Sequence, residues 1–206
     1  DLGGGLNSNV YALTVLGSNV VAGGDFTQAG STNVAFLAAW DGTDWSPLGG
    51  GVDAPVRALT VANGRLYAGG RFTNAGGVLV NHVAAWEGGA WRALGEGVAG
   101  SNVNVLALAV GGNRVVAGGQ FQLAGGRPAN NVALWNGSEW TPLGEGAENG
   151  VSGGAVYAVA IRGSNIYVGG TFTNAGTVSA RGLACWDGAR WSRLGSGINN
   201  SVQRPR

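Results

Sequence analysis

Four copies of one strand pattern predict an all-β chain of four four-stranded antiparallel sheets. Three observations carry this expectation. The first is a repeat: a short apolar strand ends in a Gly pair at Gly24, Gly70, Gly119 and Gly170, at spacings of 46, 49 and 51 residues. The second is a Trp pair in step with it. Trp40, Trp86, Trp135 and Trp186 follow the Gly pairs by 16 residues, and Trp45, Trp91, Trp140 and Trp191 come 5 residues later. The third is alternation with period two and no helical period. Gly is 41 of 206 residues, and each Gly would cost a helix about 1 kcal/mol.

Each copy resolves into strands a, b, c and d. Strand a is VYALTV from Val10, VRALTV from Val56, VLALAV from Val105 and VYAVAI from Val156. The turn sequences GSN, ANG, GGN and GSN lead into strand b, the apolar run that ends in the Gly pair. Strand c runs into the first Trp. The dipeptides DG, EG, NG and DG turn it into strand d, which carries the second Trp and an LGxG signature. The spacing predicts repeats over 10–51, 56–97, 105–146 and 156–197. From the start of strand a to the Gly pair the length is 13 residues in all four copies, whereas the d-to-a connection takes 4, 4, 7 and 9 residues. A packed sheet absorbs no insertion and a surface loop does. Residues 1–5 contain a further LGxG, Leu2 to Gly5, which lies 46 residues before Leu48. It predicts the remnant of a preceding repeat and so a longer polypeptide or assembly.

Composition removes several function classes. The chain has no Lys, so a Walker-type phosphate loop is excluded. Net charge is +1 without a basic run, which argues against a nucleic-acid partner. No apolar stretch is long enough for a membrane-spanning helix. Eight Trp and 45% hydrophobic residues supply a core, so this is not a disordered Gly-rich linker.

A lone four-stranded sheet cannot bury both of its apolar faces, and stacking like sheets does. Strand a alternates small Ala (Ala12, Ala58, Ala107, Ala158) with larger Leu or Val (Leu13, Leu59, Leu108, Val159). Small residues suit sheets that converge, and Trp residues on c and d fill the space where sheets diverge. A β-propeller, or a segment of one, meets both demands, with residues 1–206 as a single unit. Four hydrophobic residues, Gly-Gly and then a spaced aromatic pair resemble the kelch repeat. The fuller pattern, AxWDGxxWxxLGxG, is similar to Gly-rich kelch-like repeats of large bacterial secreted or cell-surface proteins. The aromatic pair is 5 residues apart, and its first member is Trp where kelch usually has Tyr. The resemblance implies an extracellular or cell-surface location in a bacterium.

The b–c and d–a loops share one sheet edge, which holds all the length variation, so this edge is the expected binding face. The residue before each loop Phe differs in every copy: Asp25, Arg71, Gln120 and Thr171. Gln28 and Asn74 follow in the loops, then Arg127 and Arg181, and His82 is the one histidine. These nine residues are the candidate binding set, with the alternative that they only meet water or shape turns. Asp41, Glu87, Asn136 and Asp187 precede the c–d Gly, and their interchange with Asn marks them as turn formers. Cys185 takes the place of Ala39, Ala85 and Leu134 and reads as a small buried hydrophobe. Some kelch-like propellers are copper radical oxidases, but one His, one Cys and four Tyr in strand a or b are too few ligands. The expectation is a non-enzymatic interaction or structural module with no cofactor and no metal. Its partner would be a protein or a glycan, with further copies or neighbouring subunits possible. A lectin and a propeller domain of a secreted enzyme whose active site lies elsewhere are the alternatives.

Overall fold

The computed structural model describes residues 2–196; Gly197, which completes the last LGxG, lies outside them. The described chain is all-β, with no α-helix and a single 3-10 turn at Gly146–Glu148. It divides into two compact units, the first closing at Gly97 and the second opening at Val98.

The first unit holds two sheets. In the first sheet strands a to d are Val10–Leu16, Asn19–Gly24, Leu37–Trp40 and Trp45–Pro47. In the second they are Val56–Ala62, Arg65–Gly70, Val83–Glu87 and Ala90–Ala93. The second unit repeats this with Asn104–Gly111, Arg114–Gln120, Val132–Trp135 and Trp140–Pro142, then Val156–Arg162, Asn165–Gly170, Leu183–Trp186 and Trp191–Arg193. Every sheet has the order a-b-c-d and every pairing is antiparallel.

Turn chemistry explains the hairpins. Asp41 Oδ1 accepts the backbone N–H groups of Thr43 and Asp44, Asn136 Oδ1 those of Ser138 and Glu139, and Asp187 Oδ1 those of Ala189 and Arg190. These are Asx turns, so Asn and Asp are interchangeable here. Glu87 departs from the pattern. Its longer side chain leaves the turn and pairs with Arg65 at 2.6 Å, while Gly88 and Gly89 close the hairpin with φ of 60° and 81°.

Strand d is shorter than the signature implies, and LGxG lies beyond it as a turn. That turn is a seat for the following Trp pair. A Cβ on Gly49 would lie 2.1 Å from the Trp86 ring and 2.6 Å from Trp91 Nε1, and one on Gly3 would lie 2.5 Å from the Trp40 ring. The Trp45 indole N–H donates to the Leu2 carbonyl at 2.9 Å, and that of Trp191 to Leu143 and Glu148 at 3.2 and 3.0 Å. The ring centroids of each pair are 5.4 to 5.7 Å apart and tilted, which is favourable for aromatic packing. Leu2–Gly5 therefore has a structural task in this chain: it seats the first Trp pair.

Each unit has its own core. Val21, Leu37 and Ala39 of the first sheet pack with Val56, Leu66, Ala68 and Trp91 of the second. Val116, Val132 and Leu143 pack with Val156, Ile166, Val168 and Trp191 in the second unit. The loop Phe residues, Phe26, Phe72, Phe121 and Phe172, are at most 1% exposed, and Phe72 and Phe172 anchor their b–c loops to these cores.

Candidate functional site

The b–c loops are short ribbons rather than open loops. Gln28–Ala29 pairs with Thr32–Asn33, Asn74–Ala75 with Val78–Leu79, Leu123–Ala124 with Arg127–Pro128, and Asn174–Ala175 with Val178–Ser179. The preceding d–a connector pairs with each ribbon: Leu6 with Ala29, Val52 with Ala75, Val98 with Ala124 and Val151 with Ala175. The variable edge therefore has one repeated backbone, in which a ribbon and a connector are stitched together.

Side chains reinforce the stitch in different ways. Asn7 Oδ1 accepts the N–H groups of Thr27 and Gln28. Asp53 does the same for Thr73 and Asn74, at 2.8 and 3.0 Å, and its other oxygen accepts the Thr73 hydroxyl at 2.8 Å. Partial burial pushes the Asp53 carboxyl up, but the donors from Asn74 and Thr73 prevail and hold it below the usual carboxylate range. In the second unit Gln122 Oε1 accepts from Ser101 N–H, and Asn149 bridges to Asn130 and to the Pro128 carbonyl.

The four positions before the loop Phe are equivalent in backbone. The N–H groups of Asp25, Arg71 and Thr171 donate to the carbonyls of Asn9, Pro55 and Ala155, and Gln120 pairs with Asn104. Two of the four side chains are used locally. Asp25 accepts the Tyr11 hydroxyl at 2.7 Å and the Ser8 hydroxyl at 2.8 Å. The Tyr11 bond, helped by Ser8 and Asn9, holds the Asp25 carboxyl below its ordinary range. Arg57 lies over the Tyr11 ring at 3.8 Å, which completes a small polar stack. Thr171 Oγ1 accepts the Ala155 N–H. Arg71 and Gln120 are exposed.

Gln28 and Arg127 sit on exposed ribbon positions, and Asn74 is half-buried, accepting the Gly77 N–H at 2.8 Å. Arg127 approaches Glu145 at 3.8 Å, an exposed pair of little energetic weight. Arg127 and Asn74 each line a shallow depression on this edge. One is bounded by Pro128, Pro142, Glu145 and Asn149, and the other by Gly49, Val52, Asp53 and Gly77. Asp53, Glu145 and Asn149 were not in the sequence-derived set. Asp53 and Asn149 lie in d–a connectors and Glu145 in the LGxG turn, which the comparison of positions before the loop Phe does not sample.

His82 and Arg181 belong to the bulge that returns the ribbon to strand c. His82 has φ of 71°, and the equivalent Phe36, Asn131 and Gly182 have 61°, 64° and 79°. The His82 N–H donates to the Phe72 carbonyl at 2.7 Å and its carbonyl accepts from Gly70 N–H at 3.0 Å. The same pair of bonds recurs at Phe36 and at Asn131. Residue type varies here because the backbone, rather than the side chain, carries the repeat. Burial pushes the His82 imidazole pKa down, with a partial offset from the Arg71 backbone and the Asp53 charge. Cys185 is 6% exposed, and burial pushes its thiol up, which disfavours a reactive thiolate. Among the described residues no three His, Cys, Asp or Glu side chains gather as a metal site.

No family profile matches the chain, and no curated protein does. Solved structures do. The extracellular domain of a protein from B. thetaiotaomicron, described as a one-component system, aligns at TM-score 0.52 and 12% identity over 93% of this chain. The extracellular domain described as that of a hybrid two-component system from the same organism gives 0.53 and 11% over 96%. The computationally designed Ika8 protein gives 0.52 and 18% over 96%. The two natural structures are of the same protein, and the chain spans 22% and 23% of them and 65% of the designed one. At these identities the likeness is one of fold.

Proposed function

We propose that the chain is part of a kelch-like β-propeller that works as a non-catalytic protein-recognition module at a bacterial cell surface. Its recognition face is the edge formed by the b–c ribbons and d–a connectors. One observation carries this reading: the edge repeats its backbone but not its side chains, with exposed Arg71 and Gln120 at the positions where Asp25 and Thr171 bond locally. Within each unit, unlike side chains on a repeated backbone suit a non-repeating partner surface. A lectin built on the same frame would instead repeat its polar set in each sheet. The a-b-c-d sheets, which pack through their a strands within each unit, support the propeller reading. The likeness in fold to extracellular domains supports the location. Asp41 and Asp187 cap their c–d turns, Glu87 pairs with Arg65, and the one thiol is buried, which fits binding better than turnover.

A displayed random-peptide library and a glycan array, both screened against the immobilised chain, test the proposal. Peptide binders are expected that lose affinity tenfold or more (about 1.4 kcal/mol) when Arg71, Arg127 and Arg181 are replaced by Ala. Glycan binding at one site per repeat would overturn the reading, as would peptide binders indifferent to the three substitutions.

A further inference from the structure

Within the first unit, strand a of the second sheet lies against the first sheet under one steric rule. A β-bulge between Val56 and Ala58 brings Val56 onto the face that Leu59 occupies. A Cβ on Gly23 would lie 2.5 Å from Val56 and 3.1 Å from Leu59, so only Gly fits beneath them. Gly23 pairs with Ala12, which makes the receiving face small. The second unit repeats the contact. A Cβ on Gly118 would lie 2.5 Å from Val156 and 2.8 Å from Val159, and Gly118 pairs with Ala107. Each time the bulky face of one strand a enters the small Ala-Gly face of the preceding repeat.

Two faces of this kind stand open. The first repeat has the same bulge, between Val10 and Ala12, and its bulky face is Val10, Leu13 and Val15. These are 39%, 63% and 58% exposed, whereas Val56 at the matching position is fully buried. The small face of the fourth repeat comprises Ala158 and Ala160, both exposed, with Gly169 paired to Ala158. The covered counterpart of Ala158 in the third repeat, Ala107, is 8% exposed.

We propose that these two faces are the halves of one interface, formed between two copies of this chain. The fourth repeat of one copy receives the first repeat of the next, head to tail. The second copy is the occupant because the chain itself carries both halves of the relief, with the same bulge and the same Ala-Gly pairing that it uses in both of its units. The stack at the margin is matched as well. Arg57 rests on Tyr11 in the first unit, and Tyr11 of one copy would meet Tyr157 of its neighbour at that position. An interface of two unlike patches is heterologous and closes into a ring or grows into a filament. This flank is separate from the loop edge, so the two proposals fail independently.

Light scattering over a concentration series of the intact chain tests the interface. The wild-type mass should rise above that of a monomer. Leu13→Arg and Ala158→Arg should each hold the pure protein at the monomer mass, with association weakened tenfold or more. Mixed in equal amounts they should form a dimer, since one variant keeps the small face and the other keeps the bulky face. A wild-type chain that stays monomeric overturns the proposal. So does Ala158→Arg associating like wild type, which would mean a bulky-to-bulky or unrelated contact, and so does a mixture that remains monomeric. Both side chains are exposed, and circular dichroism checks that each variant folds. If Leu13→Arg does not, Val15→Glu replaces it in the same three arms.

Discussion

His82 occupies a backbone site that glycine fills in the fourth repeat, at a φ that L-residues adopt only at a cost of roughly 1–2 kcal/mol. It is held there by the bonds to Phe72 and Gly70, so its identity matters less than its conformation. Its half-buried imidazole still leaves a titration signature. The folded pKa lies below the unfolded value of about 6.5, so the unfolded chain binds the proton first. Stability is therefore full above that pH, falls as pH drops through 6.5, and levels off below the folded pKa. His82 is the only histidine. Urea midpoints at about pH 7.5 and 5.5 should differ for the wild-type chain and differ less for His82→Gly. An equal acid shift in both proteins would remove the imidazole from the account.

At the scale of elements, the connectors and ribbons depend on side-chain caps that come and go between repeats. Asp53→Ala should cost about 1–2 kcal/mol near neutral pH, because two backbone donors and a hydroxyl lose their acceptor. Asp53→Asn should cost less than about 0.5 kcal/mol, since Asn7 makes the same two backbone bonds in the first repeat. The folded carboxyl is held below its unfolded value, so its contribution is present above about pH 4 and is lost as pH falls through the folded pKa. The gap between wild type and Asp53→Ala in chemical denaturation should accordingly narrow in acid. The Trp seats give a second contrast. Trp45 donates to Leu2, whereas Trp91 Nε1 is buried without a hydrogen-bond partner. Trp45→Phe should therefore destabilise by about 1 kcal/mol more than Trp91→Phe. Equal losses would show that the indole N–H contributes nothing.

The same elements show what could be read from the sequence. Period-two alternation, hairpin dipeptides and the Trp spacing locate strands a to d, and the Asn/Asp interchange at 136 and 187 identifies the c–d turns. The bulge at Val56 was not legible, because one extra residue changes which side chains share a face without changing composition. The left-handed site shared by Phe36, His82, Asn131 and Gly182 was hidden for the opposite reason: four residue types adopt one backbone shape. The pairing of LGxG with the next Trp pair was invisible because it joins segments more than forty residues apart, such as Leu2 and Trp45. Candidate site residues were half legible. Position in the b–c loops is legible, whereas the local bonds by which Asp25 and Thr171 hold strand a and its approach are not.

At the scale of the molecule, each compact unit contains two sheets, a seated Trp pair and a core of its own. The first unit gathers Val21, Leu37, Val56, Leu66 and Phe72 into one core cluster. Its Trp seats, Leu2 for Trp45 and Gly49 for Trp91, also lie inside it. Two four-stranded sheets sharing one apolar interface exceed the minimum of strands with a packed face that independent stability needs. A chain ending at Gly97 should therefore fold alone, with a strand-type circular dichroism spectrum and one cooperative urea transition. Its denaturant slope should be about half that of the whole chain, since the slope scales with the surface exposed on unfolding. Trp45→Phe should lower the midpoint of this half by about the same free energy as in the intact protein, because donor and acceptor are both present. A fragment that lacks strand signal or melts without cooperativity would show that the two-sheet unit is not the folding unit. The four repeats would then have to be treated as one indivisible array.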